Sequence, residues 1–222
     1  MAKSTRILAF DTSAAHCAAA LFGDDRIIAE VTEPMARGQA ESLMPMLVGL
    51  LQAGGVALQD LTALAVGIGP GNFTGIRIGV AAARGLALAL DIPAVGVSNF
   101  EAMAWQTGAD PCLVSLEAPR GAAFVQLFRG RRPDGAPRLI NPADVPEDLR
   151  LPQLHVLGHR AAEIGGPGAS CETADLPQIA QTIARIADKR LREGGTIGRP
   201  APLYVKQADA ALPADPPPVI LP

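Results

Sequence analysis

The chain has 222 residues, 49% hydrophobic and 18% charged, a balance that supports a packed core and excludes an intrinsically disordered chain. Its formal charge of −3, from 19 basic and 22 acidic residues, excludes a basic field able to hold nucleic acid unaided. Three cysteines, Cys17, Cys112 and Cys171, stand far apart with no CxxC or CxxH spacing, so neither a disulfide framework nor a thiolate zinc site is expected.

The first apolar run reaches Asp11 too soon for a secretory h-region, and Val80 to Leu90, the longest apolar stretch, is broken by Arg84. It falls short of the ~20 residues that cross a bilayer, so a soluble cytoplasmic protein without membrane contact is expected. Runs at 6–10, 17–22 and 26–32, parted by short turns, predict a three-stranded meander. Residues 39–53 carry Leu43, Leu47, Leu50 and Leu51 at helical spacing and stop at Gly54-Gly55; Pro45 inside this helix should kink it or remove a hydrogen bond. The continuous apolar run 61–68 fits a buried parallel strand, followed by a helix from about 74 to 90 and a short strand at 92–97. Ser98 with Glu101 three residues on forms a capping box for a helix to about Gln106.

Beyond Gly108 the signals weaken. Runs at 111–117 and 122–129 predict a hairpin around Pro119-Arg120-Gly121, with a later strand at 154–158 and a helix at 176–192. Arg129, Arg131 and Arg132 form the one cluster of cations, and it reads as a solvated hairpin tip in preference to a phosphate contact. Seven of the twenty prolines follow residue 199, so order is expected only over 201–207, ahead of an extended tail. A meander followed by alternating helices and strands argues for a mixed sheet with helices packed on it.

Two segments could carry chemistry. Asp11-Thr12-Ser13 closes the first strand, where a carboxylate, two hydroxyls and free amides either satisfy their own turn or serve a metal-phosphate group. Gly69-Pro70-Gly71-Asn72-Phe73-Thr74-Gly75-Ile76-Arg77-Ile78-Gly79 is a tight strand-to-helix turn, with Thr74 as the expected cap. Gly75, Gly79 and Ala83 at four-residue spacing permit close helix packing, to which anion binding at the helix start would be an addition. It lacks the Gly-Lys-Ser/Thr of a Walker loop. No GxSxG, HExxH or closely paired carboxylates are present, and His16, His155 and His159 are scattered. Finally, Met44 and Val48 form a second apolar stripe on the 39–53 helix, apart from the leucines; either the monomer covers both sides or the second stripe meets another subunit.

Taken together, Ile7-Leu8-Ala9-Phe10-Asp11-Thr12-Ser13, Leu43-Met44-Pro45-Met46-Leu47, the Gly69–Gly79 segment, Gly85-Leu86-Ala87 and Ile92-Pro93-Ala94-Val95-Gly96-Val97-Ser98 resemble the bacterial TsaB (YeaZ) family. That resemblance implies an α/β, actin-like, RNase H-like ATPase fold of two lobes, each a mixed sheet flanked by helices: residues 1–105 as the first lobe, 106–207 as a smaller second lobe, and 208–222 as a Pro-rich tail. It implies a non-catalytic accessory subunit of tRNA threonylcarbamoyladenosine synthesis that docks the transferase TsaD and admits the ATPase TsaE. It further implies a homodimer when alone and tRNA reached only through the complex. The docking surface expected from it comprises Leu43, Met44, Leu47, Leu51, Arg77, Val80, Ala83 and Arg84. Asp11, Thr12, Ser13, Gly69 and Gly71 are expected near any nucleotide, with no tightly bound cofactor and ATP or ADP only at the heteromer interface. TsaD holds a metal with two histidines four residues apart; in the register of Ile92-Pro93-Ala94 those places are Asn99 and Met103, whose amide and thioether are poor substitutes. The rival reading is a small ATPase or phosphotransferase using Asp11.

Overall fold

A computed structural model describes residues 5–173 and 178–205. Strand β1 (Arg6–Asp11) pairs antiparallel with β2 (His16–Gly23), and β2 pairs with β3 (Arg26–Pro34), so the meander forms as expected. Helix α1 (Gln39–Ala53) leads to β4 (Ala63–Gly67), which lies parallel to β1; α2 (Phe73–Leu90) leads to β5 (Ala94–Val97), parallel to β4. The first sheet thus has the order β3-β2-β1-β4-β5. This is the RNase H-like half of an actin-like fold. Pro45 does not break α1: it lies on the exposed side, and the helix continues as one element to Ala53.

Alternation with period two sorts each strand of this sheet between its two faces. Ile7, Ala9, Ala18, Ala20, Ala63, Ala65, Val95 and Val97 face one way, whereas Leu8, Phe10, Leu21, Leu64 and Val66 face the other, against Leu43, Met46, Leu47, Leu50, Leu51 and Ala83 of α1 and α2. The alanine-rich face receives α5 (Ile179–Glu193), whose Ile179, Ile183, Ala184 and Ala187 are buried on it. Residues 106–207 therefore do not form the second lobe by themselves. The small side chains on β1, β2 and β4 leave room that this late helix fills, so the first lobe is completed by residues far along the chain. Helix α2 is long and apolar enough to cross a membrane by length and composition, but it packs on β4 through Ile76, Val80 and Ala83.

The second sheet comprises β6 (Cys112–Glu117), β7 (Ala123–Arg129), β8 (Arg132–Pro133), β9 (Arg138–Ile140), β10 (His155–Gly158) and β11 (Ser170–Glu172). Its order is β11-β10-β6-β7-β8, with β9 also pairing with β7. The expected hairpin is β6 and β7; strands β8, β9 and β11, of two or three residues each, are too short to leave a periodic signal. One face packs on α4 (Ala161–Gly165) through Leu113, Val125, Val156 and Ile164. The other meets α3 (Asn99–Gln106), where Phe100, Met103, Val114, Phe128 and Leu157 form a common core with Leu203 and Val205. The α3 start has the expected capping box, with Ser98 accepting from the Glu101 amide and Glu101 accepting from the Ser98 amide. The Pro-rich tail from residue 208 lies outside the described residues, as does Leu176 at the expected start of α5.

Candidate functional site

The end of β1 runs against the start of α2, and their contact is closed. Asp11, Thr12 and Ser13 are fully buried or nearly so. The Asp11 Oδ1 accepts from the Ser13 amide at 3.0 Å and the Ser13 hydroxyl at 2.9 Å, and pairs with His16 Nε2 at 2.7 Å. Asp11 Oδ2 faces Gly67, where a Cβ would overlap it. Thr12 Oγ1 donates to the Gly75 carbonyl at 2.7 Å, and the Asn72 amide donates to the Ser13 carbonyl at 2.6 Å. Added Cβ atoms at Gly71 or Gly75 would overlap the carbonyls of Ser13 or Thr12, so glycine is required by the backbone approach of the two loops.

Asn72, not Thr74, caps α2, because the helix starts one residue earlier than its apolar pattern suggests. The Asn72 side chain accepts from the Gly75 amide at 2.9 Å, occupying a donor that an anion at the helix start would need. Gly69 is buried beside Ile76, and only Gly71 of the five expected nucleotide-proximal residues is exposed. Asn99 closes the same cluster, its Nδ2 donating to Ser13 Oγ and to the Pro70 carbonyl, both at 2.8 Å. Met103 lies in the core between α3 and the second sheet, its methyl against Gly158. Met103 offers only a thioether enclosed in that core. Asn99 Oδ1 and Asp11 Oδ2 are the acceptors of this cluster that have no hydrogen-bond partner among the described residues.

The expected docking residues divide in two. Leu43, Leu47, Leu51, Val80 and Ala83 are no more than 6% exposed and belong to the core beneath α1 and α2, so they offer no surface. The correction is geometric: the leucine stripe is the one the sheet needs, and the stripe left over is its neighbour. Met44 (43% exposed), Val48 (49%) and Leu88 (76%) stand outward with Arg77, Ala81, Arg84 and Gly85. Gly85 lies on this outer side, whereas Gly49 faces the groove between α1 and β3; a Cβ at either would meet nothing within 4 Å among the described residues. Mid-helix glycine costs about 0.5–1 kcal/mol relative to alanine, and no contact among the described residues requires it at these two places. At the start of α2, the Arg77 guanidinium lies 3.6 Å over the Phe73 ring and its Nε donates to Tyr204 Oη at 2.8 Å, all three residues exposed.

Sequence reasoning did not single out His16, Leu88, Phe73 or Tyr204 as site residues. Spacing held a signal for Leu88, which lies four residues from Arg84 and eleven from Arg77 on one helical face. Nothing local in the sequence pairs Tyr204 with Arg77.

The family model for TsaD, tRNA N6-adenosine threonylcarbamoyltransferase, matches residues 26–129. TsaB of Escherichia coli K12, named a tRNA threonylcarbamoyladenosine biosynthesis protein, is 40% identical over 123 residues, covering 54% of this chain and 53% of the relative. The match spans about half the length of that curated relative. A Mycobacterium tuberculosis H37Rv protein is 32% identical over 213 residues, 92% of this chain and 93% of the relative. The solved structure of YeaZ from Pseudomonas aeruginosa superposes with a TM-score of 0.72 at 28% identity, over 90% of this chain and 99% of that one. With that fold reproduced across nearly the whole chain, this chain belongs to the TsaB (YeaZ) family.

Proposed function

We propose that the chain is an accessory scaffold in tRNA threonylcarbamoyladenosine synthesis. In this reading it docks the TsaD transferase through the outer face of α1 and α2, and TsaE joins the pair. It carries out no chemistry itself, and tRNA is reached through the assembled complex in the cytoplasm. The observation that carries the reading is the uncovered apolar stripe of Met44, Val48 and Leu88, with the outward Gly85 beside Leu88 to suit close helix crossing. The names of the relatives support the pathway. The same face accounts for a homodimer when TsaD is absent. An ATPase centred on Asp11 draws little support from a carboxylate enclosed by Ser13, His16 and Gly67. Any ATP or ADP then belongs to the interface with TsaD.

The test is size-exclusion chromatography of the purified chain mixed with TsaD. A stoichiometric complex is expected for the natural sequence and separate elution for Met44→Glu/Val48→Glu, with the variant's circular dichroism unchanged. Co-elution of the double variant with TsaD at full stoichiometry would place the docking surface elsewhere.

A further inference from the structure

The face of the molecule away from α1 and α2 holds a second feature. The β7–β8 hairpin tip (residues 129–132) reaches over α3 and α5, and a cavity of about 210 Å³ opens between them. Arg131, Arg132, Lys189, Arg190, Glu101 and Glu193 supply its charged lining, with Trp105 as its aromatic wall. The Arg131 guanidinium lies 5.3 Å and the Lys189 ammonium 5.2 Å from the Trp105 ring centroid. Both cations are thus held at one ring on the cavity wall, which lowers the entropy of ordering them around an anion.

The charges in the cavity do not cancel. Glu101 is committed to Arg190 and to the Ser98 amide and hydroxyl, while Arg190 also donates to the Gly96 carbonyl. Glu193 reaches Lys189 at 3.7 Å. Arg129, at the base of the tip, pairs with Asp134. Arg131 and Arg132 have no carboxylate partner among the described residues, which leaves two arginines of surplus charge at the cavity mouth. Guanidinium groups suit phosphate oxygens because they present parallel donors to them.

We propose that this cleft binds phosphate groups, and that their source is the backbone of an RNA strand. An open site at an exposed tip suits a polyanion that passes across it better than a small anion that must be enclosed. Two expectations are revised in this proposal, that Arg129, Arg131 and Arg132 form a merely solvated tip and that tRNA is reached only through the complex: Trp105 and Lys189 come from other elements to meet the tip, and the cleft adds a weak local contact of the chain's own to those its partners supply. The choice of RNA rests on the proposed role in tRNA modification; the cleft itself does not depend on docking by α1 and α2.

Trp105 is the single tryptophan of the chain, so its fluorescence reports directly on the cleft. Titration of the full chain at low salt with a short single-stranded RNA is expected to change that emission saturably. Arg131→Ala/Arg132→Ala should weaken the apparent affinity about tenfold and reduce the slope of log K against log salt by about 1.4, two phosphate contacts at ~0.7 each. Lys189→Gln, on the opposite wall, should weaken it as well and serves if the tip variant does not fold. Inorganic phosphate is the second probe: an equal response to it at matched phosphate concentration supports the cleft and assigns it to free phosphate. No response to either probe, or RNA binding unaltered in both variants, overturns the proposal. Met44→Glu/Val48→Glu should keep the RNA response while losing TsaD, so failure of one reading is distinct from failure of the other.

Discussion

The two helical layers on the first sheet obey different rules. Helix α5 is apolar on one side only: Ile179, Ile183, Ala184 and Ala187 meet the sheet, and Gln181, Arg185, Lys189 and Arg192 face away. Helices α1 and α2 bury Leu43, Leu47, Leu50, Ile76, Val80 and Ala83 in the same manner, yet their outer surfaces still carry Met44, Val48 and Leu88. One layer is finished by solvent and the other is not. The proposed docking rests on that difference.

Adjacent residues on α1 give the sharpest way to break this contrast. Leu47→Glu, which buries a carboxylate among Leu8, Leu21 and Leu64, should cost about 4 kcal/mol or more and be read as loss of the cooperative urea transition. Val48→Glu, one position on, should stay within about 0.5 kcal/mol of the natural sequence in the same measurement. Equal losses at both would mean that α1 has no spare face. Asn72→Ala tests whether the start of α2 depends on its own cap and not on a bound anion; a loss of about 1 kcal/mol in thermal or urea unfolding is expected. The smallest effect concerns thiols. Burial, helped by Glu33 and Asp11 around Cys17 and by Asp110 and Glu172 around Cys112, pushes both thiols up from 9.0 to about 11. Native alkylation should therefore reach exposed Cys171 first and leave the other two unmodified. Unfolded thiols ionise near pH 9 while these two resist until about 11, so the stability they contribute is intact below 9 and declines as pH rises through that window. Urea midpoints across the same range check the sign.

Much of the first lobe was legible because its elements are local. The Asn72-Phe73-Thr74 turn, the leucine spacing of 39–53 and the apolar run before Gly69 each report on their own backbone. Two departures share one cause: the docking surface expected from sequence adds the buried Leu43, Leu47, Leu51, Val80 and Ala83 to the exposed Met44, Arg77 and Arg84, and the expected second lobe includes α5, because periodicity shows that a face is apolar but not which neighbour claims it. The alanines of β1, β2 and β4 do imply a closely packed partner, yet nothing beside them in the chain names α5. The Trp105 cleft was invisible for the same reason, since Arg131, Trp105 and Lys189 converge from three separate elements.

That α5 returns from beyond the second sheet to cover Ile7, Ala9, Ala18 and Ala20 has a bearing on biogenesis. As the chain leaves the ribosome, the opening sheet emerges with one side bare and stays so until the last quarter has been translated. The earlier-made half is thus stabilised last, and a transcript cut short after the hairpin would deliver a sticky half-layer to the chaperones instead of a smaller folded unit.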